Sequence, residues 1–212
     1  MNIHIKYFSL RGESLMPATR KNFSAEDKNN IKKKLQEVCA AFWAEQGYKE
    51  TSISKLCKGA NISTGTFYNL YESKEELFLD ALKKVQTDLN EQFIADIKQS
   101  PSKQGFIAAI ENLYYEYEKN PFLYDNKTVD FLAFYNKLSE ADKAKLEEDN
   151  SDFFRQAIAH ANLTLKESEQ MAFAVFSVLL STVSSKEALS KQFDFKATFQ
   201  FMVQHLMDEI FE

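Results

Sequence analysis

Glycine, proline and cysteine are all scarce in this chain of 212 residues. Its 5 Gly and 3 Pro leave little room for long irregular loops, because these two residues supply many tight turns. The 2 Cys are too few for a disulfide framework, and Cys39 and Cys57 both fall on predicted inward faces of helices. We therefore expect two buried apolar side chains in a reducing cytoplasm, with a redox switch as the alternative interpretation.

No apolar run is long enough to cross a bilayer. The longest, Ala172 to Leu180, falls well short of the about 20 residues that a transmembrane helix needs. The N-terminus lacks the apolar core of a signal peptide, so we expect a cytoplasmic protein with no membrane partner. We predict that residues 1–23 form a flexible arm. Within it, residues 1–15 are interpreted as a mis-called start, because Arg11-Gly12-Glu13 can be encoded by a run resembling a ribosome-binding site shortly before Met16.

Signatures of catalysis and of metal binding are missing as well. His4, His160 and His205 lie far apart, and none stands in a metal motif such as H-E-x-x-H. The chain shows no Gly-rich phosphate loop, no paired-carboxylate motif and no recognisable Ser-His-Asp or Cys-His arrangement. We therefore expect no enzymatic activity, no metal and no cofactor.

Apolar residues recur at helical spacing from residue 25 onward. Ser24 with Asp27 three residues later is typical of a capping box that begins a helix, and Gly47 is placed to end it. The inward stripe of this first helix is predicted to comprise Ile31, Leu35, Val38 and Phe42.

Two short helices and the start of a longer one are predicted in residues 51–76. Thr51 is a favourable N-cap for the first, and Asn61 suits the left-handed conformation of a sharp turn. Ser63 caps the second short helix, and Ser73 begins the long one. This helix-turn-helix is followed by helices predicted at about 74–98, 103–119, 122–137 with breaks allowed, 140–161, 166–184 and 195–211.

Slim polar side chains occupy the outer side and the N-terminal end of the second short helix. Its inner face holds Phe67, Leu70 and Tyr71. A recognition helix presents its N-terminal residues to base edges in the major groove, and hydroxyls and amides bond to bases or phosphates. The alternative is a helical hairpin packed inside an ordinary all-α domain.

The spaced positions of this region resemble the signature of TetR-family transcriptional regulators over roughly residues 25–80. The matching residues are Gly47-Tyr48, Thr51, Ile62-Ser63-x-Gly65-Thr66-Phe67-Tyr68 and Tyr71-x-Ser73-Lys74-Glu75-x-Leu77. The resemblance implies an all-helical dimer with an N-terminal DNA-binding domain. It departs from the family pattern at Cys57, Asn61 and Leu70. Together with the local pattern, the resemblance predicts DNA contacts at Thr51, Ser63, Thr64, Gly65, Thr66, Tyr68, Asn69 and Lys74, of which Tyr68 and Lys74 would reach phosphates.

We predict an all-α fold in which a three-helix helix-turn-helix DNA-binding domain at residues 24–72 precedes a helical effector-binding and dimerisation domain at 73–212. Charge supports this division. Residues 1–75 carry 12 Lys or Arg against 8 Asp or Glu, whereas residues 76–212 carry 14 against 23, within a total net charge of -5. A basic front on an acidic body is the asymmetry expected of a DNA-binding protein.

Aromatic residues are dense in the second half. Most are expected to pack in a core, but a concave apolar pocket between helices is the sharper hypothesis. The pocket candidates are Phe106, Tyr114, Tyr117, Phe131, Phe134, Tyr135, Phe154 and Phe176. With Glu111, Glu118 and Asp130 nearby, such a pocket would favour a flat or cationic lipophile.

The last two long helices carry too many apolar residues for one face. On the final helix, Phe201 and Val203 widen the stripe that begins at Phe195 and Phe199. We predict a homodimer through these two helices, with a fully buried helix in a monomer as the alternative.

These expectations combine into a functional prediction. We expect a ligand-responsive transcriptional regulator of the bacterial cytosol, most simply a repressor. It would bind a palindromic double-stranded DNA operator as a dimer and be released by a small lipophilic effector. The alternative is a DNA-bound adaptor or activator that recruits a protein partner without a small-molecule effector.

Overall fold

The computed structural model describes residues 23–123 and 128–212, so the predicted arm lies outside the described residues except for residue 23. The predicted all-α fold is confirmed. In these two ranges the helices are α1 (Ala25–Glu50), α2 (Ile53–Ala60), α3 (Thr64–Tyr68), α4 (Lys74–Gln99), α5 (Lys103–Lys119), α6 (Val129–Tyr135), α7 (Glu140–Ala161), α8 (Glu169–Ser181), α9 (Lys186–Leu189) and α10 (Phe195–Ile210). Two 3-10 turns, Pro121–Leu123 and Thr182–Ser185, lie between them.

Helix starts follow the local cap residues. The predicted capping box is present at the start of α1, where the Ser24 hydroxyl accepts the backbone N–H of Asp27 and the Asp27 carboxylate accepts that of Ser24. Ser63 and Ser73 accept from the third residue of α3 and of α4 in the same way. Each of these bonds pairs a backbone N–H that would otherwise lack an intrahelical partner.

Three predicted helix starts were wrong. At residue 122 the chain forms the 3-10 turn Pro121–Leu123, and α6 begins only at Val129, after the cap residue Thr128. α2 is capped by Ser52 rather than Thr51, since the Thr51 hydroxyl donates to the carbonyl of Gly47 instead. α8 begins three residues later than predicted, after Ser168. The preceding backbone cannot be helical because it pairs with the C-terminus, where Leu165 and Phe211 form an antiparallel bridge.

Two of the turns with positive φ lie in the N-terminal helices. Gly47 has φ 84° and breaks α1, after which the chain resumes a helical path at Tyr48. Asn61, at φ 57° and ψ 48°, ends α2 and turns the chain into α3. Both residue types tolerate positive φ better than others do, so the sequence prediction for these two positions is confirmed.

Buried side chains form two clusters. The N-terminal cluster contains Trp43, Phe67 and Phe78, and it extends to Phe122 and Phe134 from later in the chain. The second cluster is built from α5, α7, α8, α10 and the end of α4. Packing therefore crosses the predicted boundary at residue 73, and the division into domains stays a prediction.

α4 connects the two clusters. Its first half buries Leu77, Phe78 and Leu82 against the N-terminal helices, and its second half buries Phe93 and Ile97 in the other cluster. With 26 residues it is about 39 Å long at 1.5 Å per residue. Because α4 is one continuous helix, a rigid-body movement of one of its ends also moves the opposite end.

α8 and α10 pack against each other and retain an exposed apolar face. Phe199, Val203 and Met207 of α10 are buried in the cluster below. On the opposite side, Val178 is 65% exposed and Phe201 is 63% exposed. Exposed apolar side chains of this size on adjacent helices are typical of an association surface.

Two further observations concern absences within residues 23–123 and 128–212. None of these helices has both the length and the apolarity needed to span a bilayer. The same residues contain no group of three His, Cys, Asp or Glu side chains arranged to hold a metal ion. Cys39 and Cys57 are buried and unbridged, and burial raises the pKa of both thiols, which disfavours the reactive thiolate of a redox switch.

Candidate nucleic-acid interface and effector cavity

The short helix α3 is anchored by one buried aromatic ring. Phe67 has no exposed surface and lies between Tyr71, 5.9 Å away by ring centroids, and the edge-on ring of Tyr68. At the start of α3, Ser63 Oγ accepts the backbone N–H of Thr66 at 3.1 Å and lies 2.9 Å from its hydroxyl oxygen. The helix is therefore held from beneath while its other side faces solvent.

The exposed side of α3 carries most of the predicted DNA contacts. Thr66 is half-buried, and Tyr68 is 56% exposed although it is a large aromatic residue. A Cβ added at Gly65 would have nothing nearer than Ser63 Oγ at 3.8 Å, so the space above this residue is open. The exposed members of the set are Ser63, Thr64, Gly65, Tyr68 and Asn69.

Thr51 lies elsewhere. Its side chain is completely buried, its hydroxyl donates to the carbonyl of Gly47 at 2.7 Å, and it accepts a hydrogen bond from Gln46 at 3.2 Å. In this conformation Thr51 presents no surface to a DNA duplex. Its polar side chain instead satisfies the backbone at the break in α1.

Lys74 is also turned inward. Its ammonium group donates to the backbone carbonyls of Tyr48 at 2.8 Å and of Thr51 at 3.0 Å, and it lies 3.7 Å from the centre of the Tyr48 ring. Burial lowers the pKa of this lysine. Lys74 thus fastens α4 to the α1–α2 connection, so a phosphate contact would have to share the ammonium with these carbonyls.

Two acidic side chains, Asp130 and Glu75, complete this junction. The backbone N–H groups of Tyr48 and Lys49 donate to the carboxylate of Asp130 at 2.6 and 2.9 Å. Glu75 accepts from the Tyr48 hydroxyl and pairs with Lys137 at 2.9 Å. Asp130 therefore ties α6 to the end of α1 across 82 residues of sequence.

These partners shift the ionisation of the buried groups. For Glu75, burial alone would raise the pKa, but hydrogen bonds from Tyr48 and Lys137 lower it to about 2. For Tyr48, burial and the neighbouring Glu75 raise the pKa. The carboxylate is thus charged and the phenol neutral at neutral pH. Sequence patterns did not indicate this network, because its members are distant in the chain.

Exposed lysines lie on the two helices that precede α3. Lys33 and Lys34 on α1 and Lys58 on α2 are exposed, and none of them forms an ion pair with another described residue. Lys55 is exposed too, although its ammonium donates to the carbonyl of Glu50 at 2.8 Å. Such lysines supply the salt-dependent part of binding to a phosphate backbone.

A cavity of about 230 Å³ lies between α4, α5, α7 and α8. Tyr117 lines it, and burial raises the pKa of this phenol to about 12. Its other apolar lining residues are Leu89, Leu123, Phe153, Phe173, Phe176 and Leu180. Its polar lining residues are Gln86, Asn90, Asn150, Ser177 and Ser181.

Only two of the eight predicted pocket residues, Tyr117 and Phe176, line this cavity. Phe106, Tyr114 and Phe154 pack in the surrounding core, where Tyr114 lies 4.0 Å from Phe199 by ring centroids. Phe131, Phe134 and Tyr135 belong to the other cluster, since α6 packs on α1. Aromatic density correctly indicated a core but did not identify which helix faces enclose a cavity.

Two aromatic rings pack on Trp43 of α1, and one of them is next to a cavity residue in the chain. Phe122 stacks on Trp43 with ring centroids 4.5 Å apart, and Phe134 meets the edge of the same indole at 4.8 Å. The residue after Phe122 is Leu123, which lines the cavity. Neighbouring residues of one 3-10 turn thus contact the cavity and α1.

Comparison with known proteins supports this picture. Residues 37–81 match the family described as bacterial regulatory proteins, tetR family. A stretch of 67 residues, 32% of this chain, is 28% identical to the fatty acid metabolism regulator protein of Bacillus subtilis (strain 168). That match covers 34% of the relative, so the sequence similarity spans about a third of its length.

Solved structures share the fold over most of the chain. A TetR family transcription regulator from Marinobacter aquaeolei superposes with a TM-score of 0.63 at 15% identity, covering 89% of this chain and 100% of that one. The transcriptional regulator FadR from Bacillus subtilis, solved in complex with stearoyl-CoA, gives 0.59 at 16% identity, covering 84% and 98%. The chain therefore contains the N-terminal domain of the tetR family at residues 37–81 and shares the fold of solved TetR-family regulators.

Proposed function

We propose that this protein is a ligand-responsive transcriptional repressor that binds a palindromic DNA operator as a homodimer and is released by a small lipophilic effector. The observation that carries the proposal is the orientation of α3. Its inner residue Phe67 is fully buried, whereas Thr64, Tyr68 and Asn69 are exposed together on its outer side. A helix held in this way matches the recognition helix of a helix-turn-helix unit.

The exposed residues divide by chemistry into two kinds of DNA contact. Ser63, Thr64 and Thr66 carry hydroxyls at the N-terminal end of α3, where side chains reach base edges in the major groove. Tyr68 and Asn69 lie at the other end and would bond to phosphates. Gly65 leaves open space, which allows the DNA to approach the backbone closely.

The proposed dimer interface is the exposed face of α8 and α10. Met171 and Val178 project from α8, and Phe201 projects from α10, where it stacks on His205 with ring centroids 3.9 Å apart. A second copy of this chain related by a twofold axis would bury the same residues on both sides. A twofold dimer of this kind fits a palindromic operator if its α3 helices lie about 34–36 Å apart, one turn of DNA.

The cavity supports an effector over the adaptor alternative, for which a solid core was expected. α4 provides part of the cavity wall through Gln86, Leu89 and Asn90, and its first residue is Lys74, bonded to the α1–α2 connection. About 18 Å of continuous helix separates Lys74 from Gln86. A ligand that displaces α4 would therefore move the attachment point of the reading helices.

The 3-10 turn Pro121–Leu123 offers a second structural connection between the cavity and α1. A ligand that displaces Leu123 also displaces Phe122, which stacks on Trp43 of α1. Coupling between sites is reciprocal in free energy, so operator DNA must weaken effector binding by the factor by which effector weakens operator binding.

Selection of bound DNA from a random pool, with and without cell extract, tests this function. We expect an enriched palindrome in the absence of extract and loss of binding when extract supplies the effector. Enrichment of no sequence would contradict DNA recognition. The extract should come from cells that express the regulated genes. If that extract leaves the enrichment unchanged, release by an effector is contradicted and the adaptor is favoured.

A further inference from the structure

We infer that the cavity between α4, α5, α7 and α8 accepts a compact, uncharged lipophile that carries a hydroxyl or carbonyl group, and that it discriminates against organic cations and against anions such as acyl thioesters of coenzyme A. The inference rests on the proposed function, because it specifies the effector of that same site. It replaces the cationic ligand that sequence composition favoured.

No described residue that lines the cavity carries a charged side chain. Tyr117 is the single ionisable group among them, and burial keeps its phenol protonated by raising the pKa to about 12. A buried charge without a partner of opposite sign is costly, because the low-dielectric interior does not replace its hydration. A ligand that places a charge against this lining would lose hydration there without meeting a charge of opposite sign on a described lining residue.

The three acids that could have balanced a cation are committed elsewhere. Glu111 accepts a hydrogen bond from the amide of Gln200 at 3.0 Å, and Glu118 is paired with Lys186. Asp130 accepts two backbone N–H groups at the break in α1. None of the three lines the cavity.

An anion finds no cationic partner among the described lining residues either. The cavity adjoins a groove of about 540 Å³ between α4 and α7, and the two share Asn90 and Phe153. This groove contains Lys98 and His160, but it also contains Glu91, Asp149 and Asp152, so a phosphate-rich head group would meet negative charge there. The mixed groove therefore does not provide the cluster of cations that phosphates require.

The cavity lining offers both hydrogen-bond donors and hydrogen-bond acceptors. Gln86, Asn90 and Asn150 make no hydrogen bond to another described residue, and each amide offers two donor hydrogens and an acceptor oxygen. The hydroxyls of Ser177 and Ser181 donate to the carbonyls of Phe173 and Val178, which leaves their oxygens to accept. A ligand hydroxyl or carbonyl matches this set without introducing charge.

Size sets the remaining limit. A volume of about 230 Å³ is below the range of roughly 300–1,000 Å³ found for sites of drug-sized ligands. Phe153 lines both the cavity and the neighbouring groove, so an acyl chain too long for the cavity would extend past this ring into the groove. A compact molecule fits within the cavity alone.

The test uses three ligands with the same chain length: 1-octanol, octanoate and octyltrimethylammonium. Binding to the full-length protein is measured by isothermal titration calorimetry, and the rise in unfolding midpoint is measured in parallel. We expect 1-octanol to bind at least tenfold more tightly than either charged ligand. Tighter binding of octanoate or of the cation, or no binding of 1-octanol, would overturn the inference.

A matched pair of substitutions locates the effect. Gln86→Glu places a carboxylate in the cavity, whereas Gln99→Glu makes the same change at the exposed end of α4. We expect Gln86→Glu to reverse the preference in favour of octyltrimethylammonium and Gln99→Glu to leave it unchanged. Equal responses of the two variants would show that the ligands bind elsewhere and would also overturn the inference. DNA selection is scored separately, so failure of the proposed function is distinguishable from failure of the ligand class.

Discussion

The indole of Trp43 and the ring of Phe122 are stacked, with centroids 4.5 Å apart and planes 11° from parallel. Trp43 belongs to α1 of the DNA-binding unit, and Phe122 precedes the cavity residue Leu123. The stack is therefore a direct contact between α1 and the 3-10 turn that lines the cavity.

Removal of the Phe122 ring should destabilise the folded protein. We predict that Phe122→Ala lowers the free energy of unfolding by about 3–5 kcal/mol, since the ring is buried and its loss leaves a cavity beside Trp43. Phe193→Ala is the control, because Phe193 is 41% exposed and should lose less than half as much. Urea unfolding curves measure both. Equal losses of unfolding free energy would contradict a larger contribution of the buried Phe122 ring.

Two glycines should respond in opposite directions to the same substitution. Gly47→Ala requires a side chain at φ 84°, and its Cβ would lie 2.8 Å from a carboxylate oxygen of Asp130, so we predict a loss of more than about 1 kcal/mol in unfolding free energy. Gly65→Ala meets open space in a helix and should stabilise the protein by up to about 1 kcal/mol.

The same alanine at position 65 should weaken DNA binding while it stabilises the fold. Its methyl group would occupy the space that we assign to close approach of the duplex. Thermal unfolding and operator titration on one preparation check the two effects together. An operator affinity equal to that of the unmodified protein would show that DNA does not approach the backbone at Gly65.

The polar face of α3 should matter for DNA and little for stability. We predict that Thr64→Ala and Tyr68→Ala each weaken operator binding by about 1–3 kcal/mol, because both side chains are exposed. Thr51→Ala should instead reduce stability, by about 1–3 kcal/mol, since it leaves buried polar partners unsatisfied. Fluorescence anisotropy with the selected operator and urea unfolding separate the two kinds of loss. Substitutions at Thr64 and Tyr68 that left affinity intact would remove α3 from the interface.

Glu75 predicts a specific dependence of stability on pH. Its folded pKa is lowered to about 2, so its contribution is fully present above the usual carboxyl pKa of about 4.3. This contribution is lost as pH falls from about 4.3 toward 2. The difference in unfolding free energy between the unmodified protein and Glu75→Gln should shrink over that interval. A difference that stays constant from pH 7 to pH 2 would mean that Tyr48 and Lys137 do not stabilise the ionised form.

The exposed face of α8 and α10 should control association. We predict that Phe201→Glu yields a monomer in light scattering and lowers operator affinity, because a charge is placed at the centre of the apolar face. Phe193→Glu introduces the same charge at an exposed phenylalanine outside these two helices and should leave the dimer intact. Dissociation by both variants, or by neither, would contradict this choice of interface.

The local parts of the site were predictable from sequence, and the long-range parts were not. The Ser63 cap, the turn at Asn61 and the buried Phe67 all depend on residues within one or two helical turns, so pattern alone located the exposed face of α3. The inward positions of Thr51 and Lys74 depend on the break at Gly47 and on the carbonyls that it exposes. Those partners are fixed only when α4 packs against α1.

The cavity shows the same limit. Phe134 and Phe176 are both aromatic residues on amphipathic helices, yet one packs on Trp43 and the other lines the cavity. Spacing along a helix identifies its apolar face but does not identify the neighbour that covers it. The pairing of α6 with α1, secured by Asp130, is what separates the two groups of aromatic residues.

The central claim is that the two α3 helices of a dimer contact two half-sites of one operator. Its most direct test is a hydroxyl-radical footprint of the full-length protein on the selected operator. We predict two protected half-sites whose centres lie about 10–10.5 base pairs apart, with protection lost at both when Tyr68 is replaced by Ala. Protection of a single half-site, or a footprint that the Tyr68→Ala protein reproduces unchanged, would contradict a paired recognition helix at α3.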